Sequence, residues 1–261
     1  MEGTVMTPRE WRARFRSGES RQTAALAPGY VQANIAVLPA RFADDFEAFL
    51  RANPAACPLV ARSAAGDPAL PALGDAIDIR TDLPKYRIFR DGRPAVFAQD
   101  IVDLWQDDLV TFAIGCSLTF EADLVAAGVA LRCYGPGVSC SAFDTNIANV
   151  PAGPFGGNLV VSMRAVRRDQ LDRAISVTSA HPDSHGAPVH SGNPAAIGVD
   201  LGKPIDGLGL IDIRDDEVPV FWACGVTMER AITSAGVPFA ITHAPGHMLI
   251  TDRRAGSGDE P

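Results

Sequence analysis

Histidine is missing from the first 180 residues of this 261-residue chain, and all five copies lie between His181 and His247. Lysine is nearly absent too. Lys85 and Lys203 are the only two, so most positive charge is arginine, whose planar fork suits carboxylates better than an ammonium does. With a net charge of -8 and no Lys/Arg-rich run, the chain offers phosphates no basic face, which excludes a nucleic-acid partner. No apolar run approaches the roughly 18 residues of a membrane-spanning helix. Met1 to Gly18 is charged and lacks the apolar stretch of a secretion signal, so the expected setting is cytoplasmic, with no membrane partner. The five cysteines, an odd number without a Cys-x-x-Cys pair, fit reduced thiols in that compartment and argue against a structural zinc.

Several catalytic frameworks are missing as well. There is neither a Walker-type phosphate loop nor a Gly-x-Ser-x-Gly elbow, which removes P-loop NTPases and elbow-type serine hydrolases. Gly153-Pro154-Phe155-Gly156-Gly157 precedes a strand instead of opening a helix, the wrong context for a dinucleotide fingerprint.

What is present reads as a globular α/β chain. Its 47% hydrophobic and 21% charged residues are ordinary for a folded domain, and the length allows one large domain or two smaller ones. Thr7-Pro8-Arg9-Glu10 predicts a capping box and a helix that Gly18 can end. The pattern then predicts a strand at Tyr30 to Leu38 and a helix at Arg41 to Ala52, followed by strands at Ala76 to Arg80, Tyr86 to Arg90 and Pro94 to Phe97. Asp91-Gly92 joins the last two as a hairpin. Helices are expected at Trp105 to Ile114 and Leu118 to Ala127. Cys133 to Gly157, rich in Gly, Pro, Ser and Asn, is expected to be irregular. Strands at Leu159 to Met163, Val218 to Ala223, Phe239 to Thr242 and Met248 to Thr251, with helices at Arg168 to Ser179 and Met228 to Ala235, complete the order. That order argues for mixed α/β over a single doubly wound sheet.

The histidines suggest where the chemistry sits. His185-Gly186-Ala187-Pro188-Val189-His190 and His243-Ala244-Pro245-Gly246-His247 are two stiffened phrases. Imidazole titrates near neutrality and is also the commonest metal ligand. Pro245 bars the helix that a paired-His zinc motif needs, so acid/base work is favoured over metal binding. Both phrases are expected to face one pocket with Glu121 and Arg164. Cys116 and Cys224 each stand beside a glycine after an apolar element, where a helix start can lower a thiol pKa.

Long phrases go further. Gly115-Cys116-Ser117-Leu118-Thr119-Phe120-Glu121, Pro151 to Gly157, Val160-Val161-Ser162-Met163-Arg164, His185 to His190, Val218 to Thr227, Ile241 to Met248, Ala27 to Asn34 and Arg80 to Arg87 closely resemble the hydro-lyase family that includes D-glutamate cyclases. The resemblance covers about residues 9 to 252. It implies an α/β fold in two parts, a three-layer portion (1–114 with 217–252) and a smaller two-layer α+β portion (115–216), with 253–261 a frayed tail. It also implies conversion of D-glutamate to 5-oxo-D-proline and water, with no cofactor called for, a divalent metal left open, and a small-molecule substrate as partner to a chain that can be a homo-oligomer. Acid/base work falls to His185, His190, His243 or His247 with Glu121, and carboxylate binding to Arg164, Arg87, Thr145 and Asn146.

This chain departs from the family pattern at Asp144, Asn158 and Asn193, where arginine, proline and aspartate are usual. An acid at Asp144 lining the pocket would repel a dicarboxylate and shift the substrate to another small amino or hydroxy acid. Two other readings are an amide-forming or amide-opening enzyme acting through Cys116 or Cys224, and a non-catalytic protein that binds a small carboxylate.

Overall fold

A computed structural model describes residues 6–206, 209 and 211–256. The capping box forms as its spacing predicts. Glu10 N–H donates to Thr7 Oγ1 at 3.3 Å and Thr7 N–H to Glu10 Oε2 at 2.7 Å, satisfying donors at the start of α1 (Pro8–Arg16). The chain continues through β1 (Tyr30–Pro39), α2 (Ala43–Ala52), β2 (Leu59–Arg62), β3 (Tyr86–Arg90), β4 (Arg93–Ala98), β5 (Leu109–Gly115) and α3 (Leu118–Ala126). After these come β6 (Ser141–Ala148), β7 (Asn158–Arg167), α4 (Leu171–Ser179), β8 (His190–Ser191), β9 (Glu217–Ala223), α5 (Thr227–Ser234), β10 (Phe239–His243) and β11 (Leu249–Arg254). Positive φ angles at Asp91 (49°) and Gly92 (71°) make the β3–β4 turn the primed kind that matches strand twist.

The mixed α/β class holds, built on two antiparallel sheets. Seven strands pair in the order β2-β5-β1-β10-β3-β4, with β11 also on β1, and four pair as β6-β7-β9-β8. Between the sheets lies the largest core. Phe46 and Phe49 of α2 and Met228 and Ile232 of α5 pack there with Leu38, Phe112 and Ala240 of the larger sheet and Val161, Met163 and Phe221 of the smaller one. The far face of the larger sheet is covered by Leu70, Leu73, Ile79 and Leu83. On the smaller sheet's far face, Phe120, Leu124 and Ala174 of α3 and α4 meet Val218, Val220 and Trp222. The chain returns to the larger sheet only after β9, so residues 217–223 pair in the smaller one. Among the described residues no helix is long and apolar enough to cross a membrane.

Four local expectations need correction. Trp105 to Ile114 is not a helix: Leu109–Gly115 is β5, an interior strand buried at every position, and a strand buried on both faces loses the alternation that would have marked it. Ala76 to Arg80 forms no strand but a loop, with one isolated bridge from Asp78 to Ala69 and Asp82 accepting from Asp78 N–H at 3.0 Å. Cys133 to Gly157 is not irregular throughout, since β6 lies inside it and pairs with β7. Its remaining loop is pinned by Phe155, whose ring lies 5.0 Å from that of Phe46. The expected frayed tail starts too early, because Arg253 and Arg254 close β11; residues 257–261 lie outside the described residues.

Candidate active site

Side chains from both sheets line a pocket of about 690 Å³, counting its open mouth. β5 ends at Gly115 and delivers Cys116 and Ser117 at the start of α3, while β9 ends at Ala223 and delivers Cys224 just before α5. Gln22, Asn34 of β1, Ser139, Cys140, Ser162 of β7, Asp206 and His243 of β10 complete the polar lining. Gln22, Asp206 and Pro245 also border an adjoining recess lined by Lys85, Arg87, Phe97 and His247. The recess thus shares a wall with the pocket.

Two helices begin at this pocket without a side-chain cap: Ser117 precedes α3 and Val226 precedes α5. Their partial positive ends suit a carboxylate or a developing oxyanion. The thiols are not standing nucleophiles, because burial raises both, Cys224 to about 12.

His243 and His247 are held in opposite tautomers. Ile35 N–H, which can only donate, reaches His243 Nδ1 at 3.2 Å, closer than the Ile35 carbonyl oxygen at 3.4 Å, and this shorter contact leaves the proton of the neutral ring on Nε2. Burial lowers the His243 pKa to about 3 and keeps that ring neutral. His247 Nδ1 lies 2.8 Å from Pro245 O, a carbonyl that can only accept, so Nδ1 carries the proton and Nε2 is left as a base. Burial lowers this pKa too.

Beneath the floor lies an ion pair. Arg164, 1% exposed, donates from Nε and Nη2 to Glu121 Oε1 at 3.0 and 2.7 Å, from Nη2 to Ser117 Oγ at 2.9 Å and from Nη1 to Ser162 Oγ at 3.1 Å. Both hydroxyls accept from the guanidinium and line the pocket, so their own protons are free to turn toward a ligand. Burial raises the Glu121 pKa against the pull of Arg164.

The sequence-predicted residues therefore divide. Cys116, Cys224 and His243 meet in the pocket, and Arg87 and His247 meet in the adjoining recess. Glu121 and Arg164 sit one layer below. His185 is 3% exposed with Nδ1–H donating to Ala55 O at 2.9 Å, and His190 hydrogen-bonds Asn193 O at 2.9 Å and stacks on Phe221. Neither lines the pocket or the recess. Thr145 donates to Leu159 O at 2.7 Å, and Asn146 is exposed beside Gly198. Asp144 faces outward in a two-pronged pair with Arg230, at 2.7 and 2.8 Å.

Sequence reasoning missed Asn34, Ser117, Ser162, Cys140, Asp206 and Lys85. Lys85 had a signal, being one of two lysines. It forms no ion pair among the described residues, resting instead 4.8 Å from the Phe97 ring centre. Arg87, by contrast, is held by Glu229 at 3.0 Å and Asp206 at 2.9 Å. No group of three His, Cys, Asp or Glu among the described residues is placed to hold a metal ion.

A family described as D-glutamate cyclase matches residues 110–252. Over 256 residues the chain is 50% identical to a relative from Bordetella petrii, covering 97% of each. Over 252 residues it is 50% identical to one from Rhodopseudomonas palustris, covering 96% of this chain and 92% of the relative. A third, from Bordetella pertussis, is 53% identical over 231 residues, covering 88% and 83%. All three carry the name "Putative hydro-lyase".

Proposed function

The chain belongs to the D-glutamate cyclase family, and we propose that it is a carbon–oxygen lyase that removes water from a small amino acid, closing a glutamate-like substrate to its lactam. The opposed tautomers of His243 and His247 carry this reading. Ring closure needs a neutral amine, a group to receive its proton, and a donor for the oxygen that gains charge.

His247 Nε2 takes one proton from the substrate ammonium, and the freed amine attacks the side-chain carboxyl carbon. A C–N bond forms. His243 Nε2–H, with the helix starts at Ser117 and Val226, stabilises the charge on the tetrahedral oxygen. The C–O bond then breaks. The departing oxygen takes the proton held by His247 and the second proton of the nitrogen, so it leaves as water and His247 ends as it began. Lys85, which has no carboxylate partner among the described residues and rests on Phe97, supplies the positive charge that holds the substrate's remaining carboxylate in the adjoining recess.

Incubating the purified protein with D-glutamate and with other amino and hydroxy acids, and following mass spectra for loss of one water, tests the reading. Formation of a lactam by the wild type, reduced by about 100-fold or more in His247→Gln, is the expected result. A wild-type protein that dehydrates none of them would refute it.

A further inference from the structure

Cys116 and Cys224 occupy equivalent places in two copies of one local arrangement. Each follows the last residue of a strand and precedes a helix, β5 into α3 and β9 into α5. In each, the backbone N–H two residues on, of Leu118 and of Val226, favours the thiolate against the burial that opposes it. The strands belong to different sheets, yet both thiols line the same pocket.

One buried side chain ties the two loops together. Asn34, 1% exposed, donates from Nδ2 to Gly115 O at 2.8 Å, immediately before Cys116. The same amide presses on the residue after Cys224, where a Cβ on Gly225 would fall 2.2 Å from Asn34 Nδ2. Only glycine permits that approach, and it fixes one thiol loop relative to the other.

We propose that Cys116 and Cys224 are a proton-transfer pair that exchanges the α-proton of the bound amino acid, so that this pocket also interconverts its substrate's enantiomers. The inference rests on the reading of the pocket as an amino-acid site. One sulfur, as thiolate, removes the α-proton from one face, breaking the C–H bond and leaving the electron pair delocalised into the carboxylate. The other, as thiol, gives its proton to the opposite face and forms the new C–H bond. One sulfur gains the proton that the other loses, the substrate's formula is unchanged, and no oxidant is required. Exchange with solvent resets the pair. The substrate's own ammonium, entering beside the thiols, and the N–H groups of the helix starts favour the single thiolate that the step needs.

The test places the whole protein in D₂O with a panel of L- and D-amino acids, glutamate first, and follows the α-C–H signal by proton NMR and the enantiomers by chiral chromatography. Deuterium at the α-carbon and appearance of the opposite enantiomer are expected. Cys116→Ser and Cys224→Ser should each slow interconversion by about 100-fold or more, with circular dichroism confirming that each variant is folded. Absence of deuterium from every member of the panel in the wild type overturns the pair, whatever the variants do. Dehydration without α-exchange overturns it while leaving the lyase reading intact, and α-exchange without dehydration supports it while removing the lyase.

Discussion

His243 accepts a hydrogen bond from Ile35 N–H on Nδ1, whereas His247 donates one from Nδ1 to the Pro245 carbonyl. Two imidazoles four residues apart thus present opposite functions through their Nε2 atoms, one a donor and one a base. Pro245, which bars a helix here, also supplies the carbonyl that fixes the second tautomer.

The pH dependence of turnover follows from that difference. His247 works unprotonated and its pKa is held below 6.5 by burial, so kcat/KM should fall on the acid side as pH drops through that lowered value. His243, at about 3, should contribute no ionisation between pH 5 and 8. A kcat/KM profile for the dehydrated substrate checks this, and His247→Gln should lose the acid limb along with most activity.

Stability should also fall in acid. Burial holds the folded pKa values of His185 and His243 near 4 and 3, against about 6.5 for a free imidazole, so below about pH 6.5 the unfolded chain binds protons that the folded chain refuses. Stability is full above that pH and declines as pH drops toward 4 and 3. The loss is on the order of 3 kcal/mol for His185 alone. Urea midpoints at pH 7 and pH 4.5 measure it, and His185→Gln, if folded, should narrow the gap.

The buried pair under the pocket separates folding from chemistry. Glu121→Gln leaves Arg164 without its counter-charge and should cost about 3–5 kcal/mol. Glu121→Leu with Arg164→Met should recover much of that stability in a denaturant series. Turnover should stay low in the double variant, because Ser117 and Ser162 lose the guanidinium that orients their hydroxyls.

Asp144→Arg should be nearly silent in catalysis. Asp144 is exposed, paired with Arg230 and absent from the pocket lining, so kcat/KM for D-glutamate should change less than about two-fold, and stability by no more than about 1 kcal/mol. Parallel kinetics and thermal melts of both proteins check the pair of values.

Much of this was legible in the sequence where local chemistry governs. The capping box at Thr7 and the Asp91-Gly92 turn follow from short-range rules, and the phrases around Cys116, Cys224 and His243 led to the pocket. β5 was not legible, because Val110-Thr111-Phe112-Ala113-Ile114 is buried on both faces and carries no period. Nor was the separation of His185 and His190 from the other pair. Clustering along the chain measures sequence distance, while the pocket is assembled by strands paired across it, which is also why Asn34, Ser162 and Lys85 escaped notice.

The most direct measurement is the tautomer of each ring, by long-range proton–nitrogen NMR of ¹⁵N-labelled protein at neutral pH. Expected are a neutral His243 with the proton on Nε2 and a neutral His247 with the proton on Nδ1. The same tautomer in both rings, or an imidazolium at either, would contradict it.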